Sequence, residues 1–323
     1  MTFIASVIAK KGVAVIADSL ATFSKNVVTY EQFMDYLKRK QGNANSNEIS
    51  INRNEIARLF EKKPSHTTDF ADKLFQFDKF TAITLAGASQ IGSKTIEHLI
   101  QELVAVNLED ENYYSKSVTT RVTDFCRFME EKVRACIAVK EYIGRSILLF
   151  THYEPITEKT IIYRIVIGKA VVQSIEEREW KYVSYERIPE DRYVVSEGQD
   201  HISKRIFGEK NHSSLDFIPC ILEEIMEDFN LPLESISSVY TRQLADKIDL
   251  KLRNKKGDSE IQQSLSKLSL QQAVNMAYLF LKLEMTFQTY VEKIPTVGGV
   301  IKIAVIDKQG FRYIIGHNIL KPY

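Results

Sequence analysis

Four residues in the first ninety positions have the types needed to cleave an amide without a metal: Thr2, Asp18, Lys73 and Gly87. Removal of Met1, a common step before a small second residue, leaves Thr2 with a hydroxyl and a free α-amine in the same residue. That amine has a reference pKa of about 7.7–8.0, so near neutral pH part of it is free to take a proton. Nucleophile and base then come from one residue, the threonine–amine form of nucleophilic catalysis. A cation at Lys73 favours the deprotonated forms of both groups. A carboxylate such as Asp18 holds the charge and position of a buried lysine. A backbone N–H at the Gly87 turn suits a developing oxyanion. The expected chemistry is acyl transfer through an ester on Thr2. Each residue also has an ordinary use: Asp18 as a turn cap, Lys73 as a solvated strand end, Gly87 as a tight turn.

Such chemistry needs strands to place these groups. TFIASVIA and VAVIAD, separated by Lys-Lys-Gly, read as a hairpin of well-buried strands that starts at Thr2 and ends at Asp18. DKLFQFDKFTAITLAGAS reads as two further strands, with Lys73 at the start of the first and Gly87 at the end of the second. SKTIEHLIQELVAV and SVTTRVTDFCRFMEEKVRACIAV carry apolar residues at helical spacing, the first helix starting near Ser89. RSILLFTHYE, KTIIYRIVIG and DRYVVSEG read as strands, and SSLDFIPCILEEIMEDFN as a helix. Ser269 and Gln272 form a capping box ahead of a long apolar helix. GGVIKIAVIDKQGFRYIIG closes as a hairpin. Helices come in pairs rather than alternating with strands, which points to an α+β fold with antiparallel sheets covered by helices. Residues 24–70 are polar, with two weakly amphipathic patches (YEQFMDYLKRK and NEIARLFEKK), and read as a partly helical surface insertion. A second variable region covers about 208–267.

TFIASVIAKKGVAVIADSLAT resembles the first hairpin of proteasome β-type subunits, whose mature chains begin with threonine and reach an Asp-Ser-Arg-Ala-Thr motif. KLFQFDKFTAITLAG is similar to that family's lysine-bearing strand pair, and VGGVIKIAVIDKQG to its late Ser-Gly-Gly hairpin. The resemblance is to the proteasome-like N-terminal-nucleophile hydrolases, over half to two-thirds of the chain. It implies a single domain over 1–323 with a four-layer αββα sandwich. It implies Thr2 as nucleophile and amine base, Asp18 as the partner of the lysine Lys73, and Gly87 as the oxyanion-hole glycine. It places Ala21, Phe75, Leu85 and Ser89 near the first specificity pocket, which would then favour an apolar side chain. The family's serine beside the threonine amine is matched by Glu197, or by Ser196 with a one-residue slip. Its aspartate before Ser-Gly-Gly is matched by Ile294, and the serine by Val297.

The resemblance further implies a peptide or small-amide substrate, no cofactor, and a homo-oligomer. A ring suits a peptidase, a dimer suits a small-amide hydrolase, and the third possibility is a catalytically silent subunit. The 24–70 insertion is placed to restrict substrates or meet a partner protein. The bulk numbers fit a globular protein: 323 residues, 44% hydrophobic, 26% charged, net charge +1. That charge gives no global field toward nucleic acid or membrane. Three cysteines without a CxxC pair suggest neither a disulfide framework nor a zinc site, and fit a reducing cytoplasm. The six histidines show no metal-ligand spacing. Asp200-His201 reads as a helix start.

Overall fold

The computed structural model describes residues 2–41, 55, 56, 58–69, 71–139, 143–174, 179–198, 264–291 and 294–316. The opening hairpin forms as its composition dictates: β1 (Phe3–Ala9) and β2 (Gly12–Ala17) pair antiparallel, Ile4 opposite Ala17 and Ala9 opposite Gly12. Continuous β-branched and alanine runs of this kind suit strands covered on both faces. A two-stranded ribbon, β3 (Ala21–Val27) with β4 (Glu61–Thr68), leaves directly after β2, and α1 (Tyr30–Gln41) lies between its strands in sequence. Next come β5 (Leu74–Asp78) and β6 (Thr81–Gly87), then the short pair β7 (Gln90–Ile91) and β8 (Lys94–Thr95). Helices α2 (Ile96–Glu109) and α3 (Val118–Ala138) follow, flanking a single 3-10 turn at Tyr113–Ser115. The chain continues through β9 (Ser146–Glu154), β10 (Lys159–Ser174), β11 (Glu179–Arg187) and β12 (Val194–Gly198). It ends with α4 (Leu270–Val291), β13 (Lys302–Asp307) and β14 (Gly310–Ile315).

Two five-stranded sheets result, in the orders β12-β1-β2-β13-β14 and β11-β10-β9-β6-β5, and all of their pairings are antiparallel. The α+β expectation therefore holds. Period-2 alternation assigns every residue of the opening hairpin to a face. Phe3, Ala5, Val7, Ala14 and Ile16 pack with Ala273, Ala277 and Leu281 of α4. Ile4, Val13, Val15 and Ala17 pack instead with Leu74, Ala82, Ala86, Leu149 and Tyr153 of the other sheet. The far face of that second sheet, through Ile83, Leu85, Leu148 and Phe150, packs on Leu99, Val122, Phe125 and Met129 of α2 and α3. Between the sheets, Ser6 and Thr151 share a hydroxyl–hydroxyl hydrogen bond of 2.8 Å, so these two buried hydroxyls satisfy one another.

Several expectations are corrected. The first long helix starts at Ile96, capped by the Thr95 hydroxyl, not near Ser89. Gly92, at φ +60°, turns the intervening residues into the β7–β8 pair. The patch NEIARLFEKK is not a helix along its length: from Glu61 the chain is strand, paired with β3. β11 was not anticipated. The capping box at Ser269 forms reciprocally, the Ser269 hydroxyl accepting from Gln272 N at 3.2 Å and Gln272 Oε1 from Ser269 N at 2.8 Å. The helix expected over 213–230, Asp200-His201, most of the 208–267 region and positions 42–54 of the insertion lie outside the described residues.

Candidate active site

Thr2 precedes the first residue of β1 and is buried, 2% exposed. At the same open end of the hairpin, Asp18 is fully buried and Lys73 is 6% exposed; Lys73 Nζ lies 3.0 Å from Asp18 Oδ1. The same carboxylate oxygen accepts the Phe3 N–H at 3.1 Å. Asp18 Oδ2 accepts from Leu20 N and Gly298 N, at 3.3 and 3.2 Å. Lys73 Nζ also donates to Leu20 O at 2.6 Å. The ion pair is thus seated in a cradle of backbone groups from three separated stretches of chain, and one oxygen ties the lysine to the amide next to Thr2.

Burial dominates the electrostatics here. It pushes the Lys73 ammonium below the ordinary lysine range, with the Asp18 charge opposing. Burial likewise raises the Asp18 carboxyl, opposed by Lys73 and by the Gly298 and Phe3 N–H donors. Both shifts bring the two groups closer in proton affinity, so Lys73 holds its proton less tightly than a solvated lysine does.

Gly87 is the one exposed residue of β6. Its φ of +97° and the Arg145 carbonyl, 2.5 Å from where a Cβ would stand, require glycine at this strand end. The turn after it is held by Ala88 N to Arg145 O, 3.0 Å, and by the Ser146 hydroxyl to Ala88 O, 2.7 Å. Opposite β1, Phe3 pairs with Gly198 and Ile4 with Glu197. Gly198 sits directly on Thr2: a Cβ there would fall 1.9 Å from the Thr2 carbonyl oxygen.

Strand alternation puts Ser196 and Glu197 on opposite faces of β12. Val195 packs between the sheets, so Ser196 falls on the α4 side, while Glu197 shares the inter-sheet face with Ile4. The Glu197 carboxylate accepts from Arg164 Nε of β10 across the sheets, and Arg164 Nη1 bonds Glu186 at 3.1 Å. Of the four expected pocket residues, Phe75 and Leu85 are enclosed in the core under α2 and α3. Ala21 pairs with Thr68 at the base of the ribbon. Ser89 is exposed, its carbonyl accepting from Ile96 N. Among the described residues, no group of three or more His, Cys, Asp or Glu side chains is placed to hold a metal ion, and no helix is long and apolar enough to cross a membrane.

Two contributors carried no sequence signal. Asp69 bonds the Ser19 hydroxyl beside Asp18. Gln288, within the apolar α4, is 2% exposed, and its Oε1 accepts from Thr296 N, Thr296 Oγ1 and Val297 N at 2.8, 3.0 and 2.9 Å. It therefore fixes the loop whose next residue, Gly298, donates to Asp18. Gln288→Leu strands two buried backbone donors, at about 1–3 kcal/mol each. A loss of roughly 2–6 kcal/mol is expected in chemical denaturation, against less than about 0.5 kcal/mol for exposed Gln271→Leu.

No family model matches this sequence, and no curated protein matches it.

Proposed function

We propose that this chain is an N-terminal threonine hydrolase that cleaves amide or peptide bonds by acyl transfer. The observation that carries the reading is the buried Asp18–Lys73 pair, whose shared oxygen Oδ1 also binds the amide next to Thr2. Helices on the outer faces of two stacked antiparallel sheets support assignment to the four-layer αββα sandwich of N-terminal-nucleophile hydrolases.

In this mechanism, loss of Met1 frees the Thr2 amine. The Thr2 hydroxyl oxygen attacks the substrate carbonyl carbon while the amine takes the hydroxyl proton, directly or through a water. The positive potential of Lys73, oriented by Asp18, lowers the cost of that deprotonation. The Gly87 N–H stabilises the oxyanion. Collapse breaks the C–N bond, and the departing amine takes the proton held by the Thr2 ammonium. Water then attacks the ester, giving a carboxylic acid and restoring the threonine. No cofactor enters. The substrate is a peptide or a small amide, and the protein works as a homo-oligomer: a closed ring for peptides, a dimer for a small amide. The mass of the assembly in solution separates the two.

The test is the intact mass of purified protein with and without a β-lactone. Loss of Met1 and a single covalent adduct on the remaining chain are expected. Retained Met1 with no adduct overturns the reading. One observation favours a second reading, a catalytically silent binding subunit. Where the resembled family has a serine, this chain has Glu197, or Ser196 with a one-residue slip, and the Glu197 carboxylate is engaged by Arg164.

A further inference from the structure

Asp69 follows β4 at the foot of the β3–β4 ribbon, four positions before Lys73. Ser19 follows Asp18 at the other foot and is fully buried. The Ser19 hydroxyl donates to Asp69 Oδ1 and in turn accepts the Val300 N–H at 2.7 Å. The Ser19 and Leu20 N–H groups both donate to Gly298 O, at 3.2 and 3.1 Å, while Gly298 N donates to Asp18 Oδ2 at 3.2 Å. Ala71 N closes the circuit on Ser19 O at 2.8 Å. Between Gly298 and Val300, Gly299 adopts φ +75°; a Cβ there would lie 2.1 Å from Asp69 Oδ1 and 2.5 Å from Ser19 Oγ. Only glycine lets the loop lie directly on this carboxylate and hydroxyl.

We infer that Asp69 is a positioning residue of the site: through the Ser19 hydroxyl it clamps the Gly298–Val300 loop against Asp18, and so holds the carboxylate that orients Lys73. Its catalytic consequence rests on the function proposed above. The chain of bonds runs Val300 N–H to Ser19 to Asp69, and each member comes from a different stretch of sequence. Ser19 alone offers the loop an acceptor but has a freely rotating hydroxyl. Asp69 takes the hydroxyl proton and thereby points the Ser19 lone pairs at Val300. Without Asp69 the hydroxyl is free to turn, and the loop loses its fixed partner. Gly298 then loses its register on Asp18 Oδ2, and a displacement of about 1 Å at a catalytic group is enough for a large rate effect. Both feet of the ribbon are thus parts of the site, since Leu20 O accepts from Lys73 at one foot and Asp69 acts at the other. Through Asp69, the end of the polar 24–70 segment is tied to the site.

The experiment compares wild type with Ser19→Ala, Asp69→Ala, Asp69→Asn and the Ser19→Ala/Asp69→Ala double variant. Two readouts are taken: the second-order rate of β-lactone adduct formation, and the hydrogen-exchange protection of the Val300 amide. Asp69 lies at the surface, so its variants are expected to fold. Ser19→Ala and Asp69→Ala each slow the adduct by about 10-fold or more, and the double variant is no slower than the worse single one. Asp69→Asn keeps a carbonyl acceptor for Ser19 and stays within about 3-fold of wild type. Val300 exchanges faster in both alanine variants and normally in Asp69→Asn. Wild-type reactivity and protection in Asp69→Ala overturn the inference, as does Asp69→Asn behaving like Asp69→Ala or full additivity in the double variant. If wild-type protein forms no adduct, the hydrolase reading fails instead, and the Val300 exchange pattern alone decides whether the clamp exists.

Discussion

Thr2→Ala forms no β-lactone adduct and loses amide turnover by at least ~10⁴-fold, while its unfolding midpoint stays close to wild type. The size follows from removing the nucleophile outright. Where nucleophile and base act as a unit, deleting one costs about as much as deleting both, so no residual covalent route remains. The fold survives because alanine fills most of the volume of threonine, and β1 keeps its pairing with β2 and β12 from Phe3 onward. Losing one hydroxyl hydrogen bond costs on the order of 1 kcal/mol. Two further variants separate the hydroxyl from the amine. Thr2→Ser retains both groups and keeps the adduct. A glycine inserted between Met1 and Thr2 retains the hydroxyl but turns the amine into an amide, and reactivity is lost as completely as in Thr2→Ala. For the free amine, reactivity falls on acidification below about pH 7, as the base becomes protonated. An adduct on Thr2→Ala at the wild-type rate would place the nucleophile elsewhere and end the mechanism.

What the sequence made legible here are the parts defined by local pattern. The apolar runs on either side of Lys10-Lys11-Gly12 specify a hairpin, and a hairpin brings Asp18 back beside residue 3, where it accepts the Phe3 N–H. Lys73 and Gly87 were readable for the same reason, lying together at the open end of an antiparallel pair whose turn falls between Asp78 and Thr81. The Ser269 capping box was readable because both of its bonds span three residues.

Residues whose roles depend on distant partners stayed hidden. Gly298 looked like a turn glycine, yet its N–H meets a carboxylate 280 positions earlier. Gln288 looked like one polar interruption in an apolar helix; only the loop beneath it makes it a triple acceptor. Asp69 sat in a polar stretch with nothing to mark it until Ser19 was placed next to it. β4 escaped because EKKPSHTT carries no apolar alternation: its ribbon pairs with β3 alone, outside both five-stranded sheets, so no core face is imposed on it. β11 is an edge strand, and EWKYVSYER mixes aromatic and charged residues, a pattern that weakens the strand signal while protecting an exposed edge.

The Asp18–Lys73 pair predicts an asymmetry that pure charge pairing would not give. Lys73→Met removes the cation but leaves the Asp18 carboxylate with three backbone donors, Phe3, Leu20 and Gly298. Asp18→Ala leaves the Lys73 ammonium with the Leu20 carbonyl as acceptor, and at the same time removes the acceptor of the Phe3 and Gly298 N–H groups, while Leu20 N keeps Gly298 O. Breaking a buried pair costs roughly 3–5 kcal/mol, and each unsatisfied buried donor adds about 1–3 kcal/mol. Asp18→Ala is therefore the more destabilising of the two, at the upper end of that range or beyond, and Lys73→Met sits at or below the lower end. Denaturant midpoints at neutral pH measure both. Activity orders them differently. Lys73→Met removes the positive potential at the Thr2 end of β1 and Asp18→Ala removes the carboxylate that holds it there, and each is expected to slow adduct formation by about 10²–10³-fold, the effect of removing one preorganised electrostatic group from an active site. Lys73→Met is the decisive variant, because it is folded and inactive: stability largely kept, Thr2 still present, chemistry gone. If Lys73→Met reacted at the wild-type rate, the pair would be a structural brace for the opening hairpin. If Lys73→Met were instead the less stable of the two, the backbone cradle around Asp18 would not be carrying the charge.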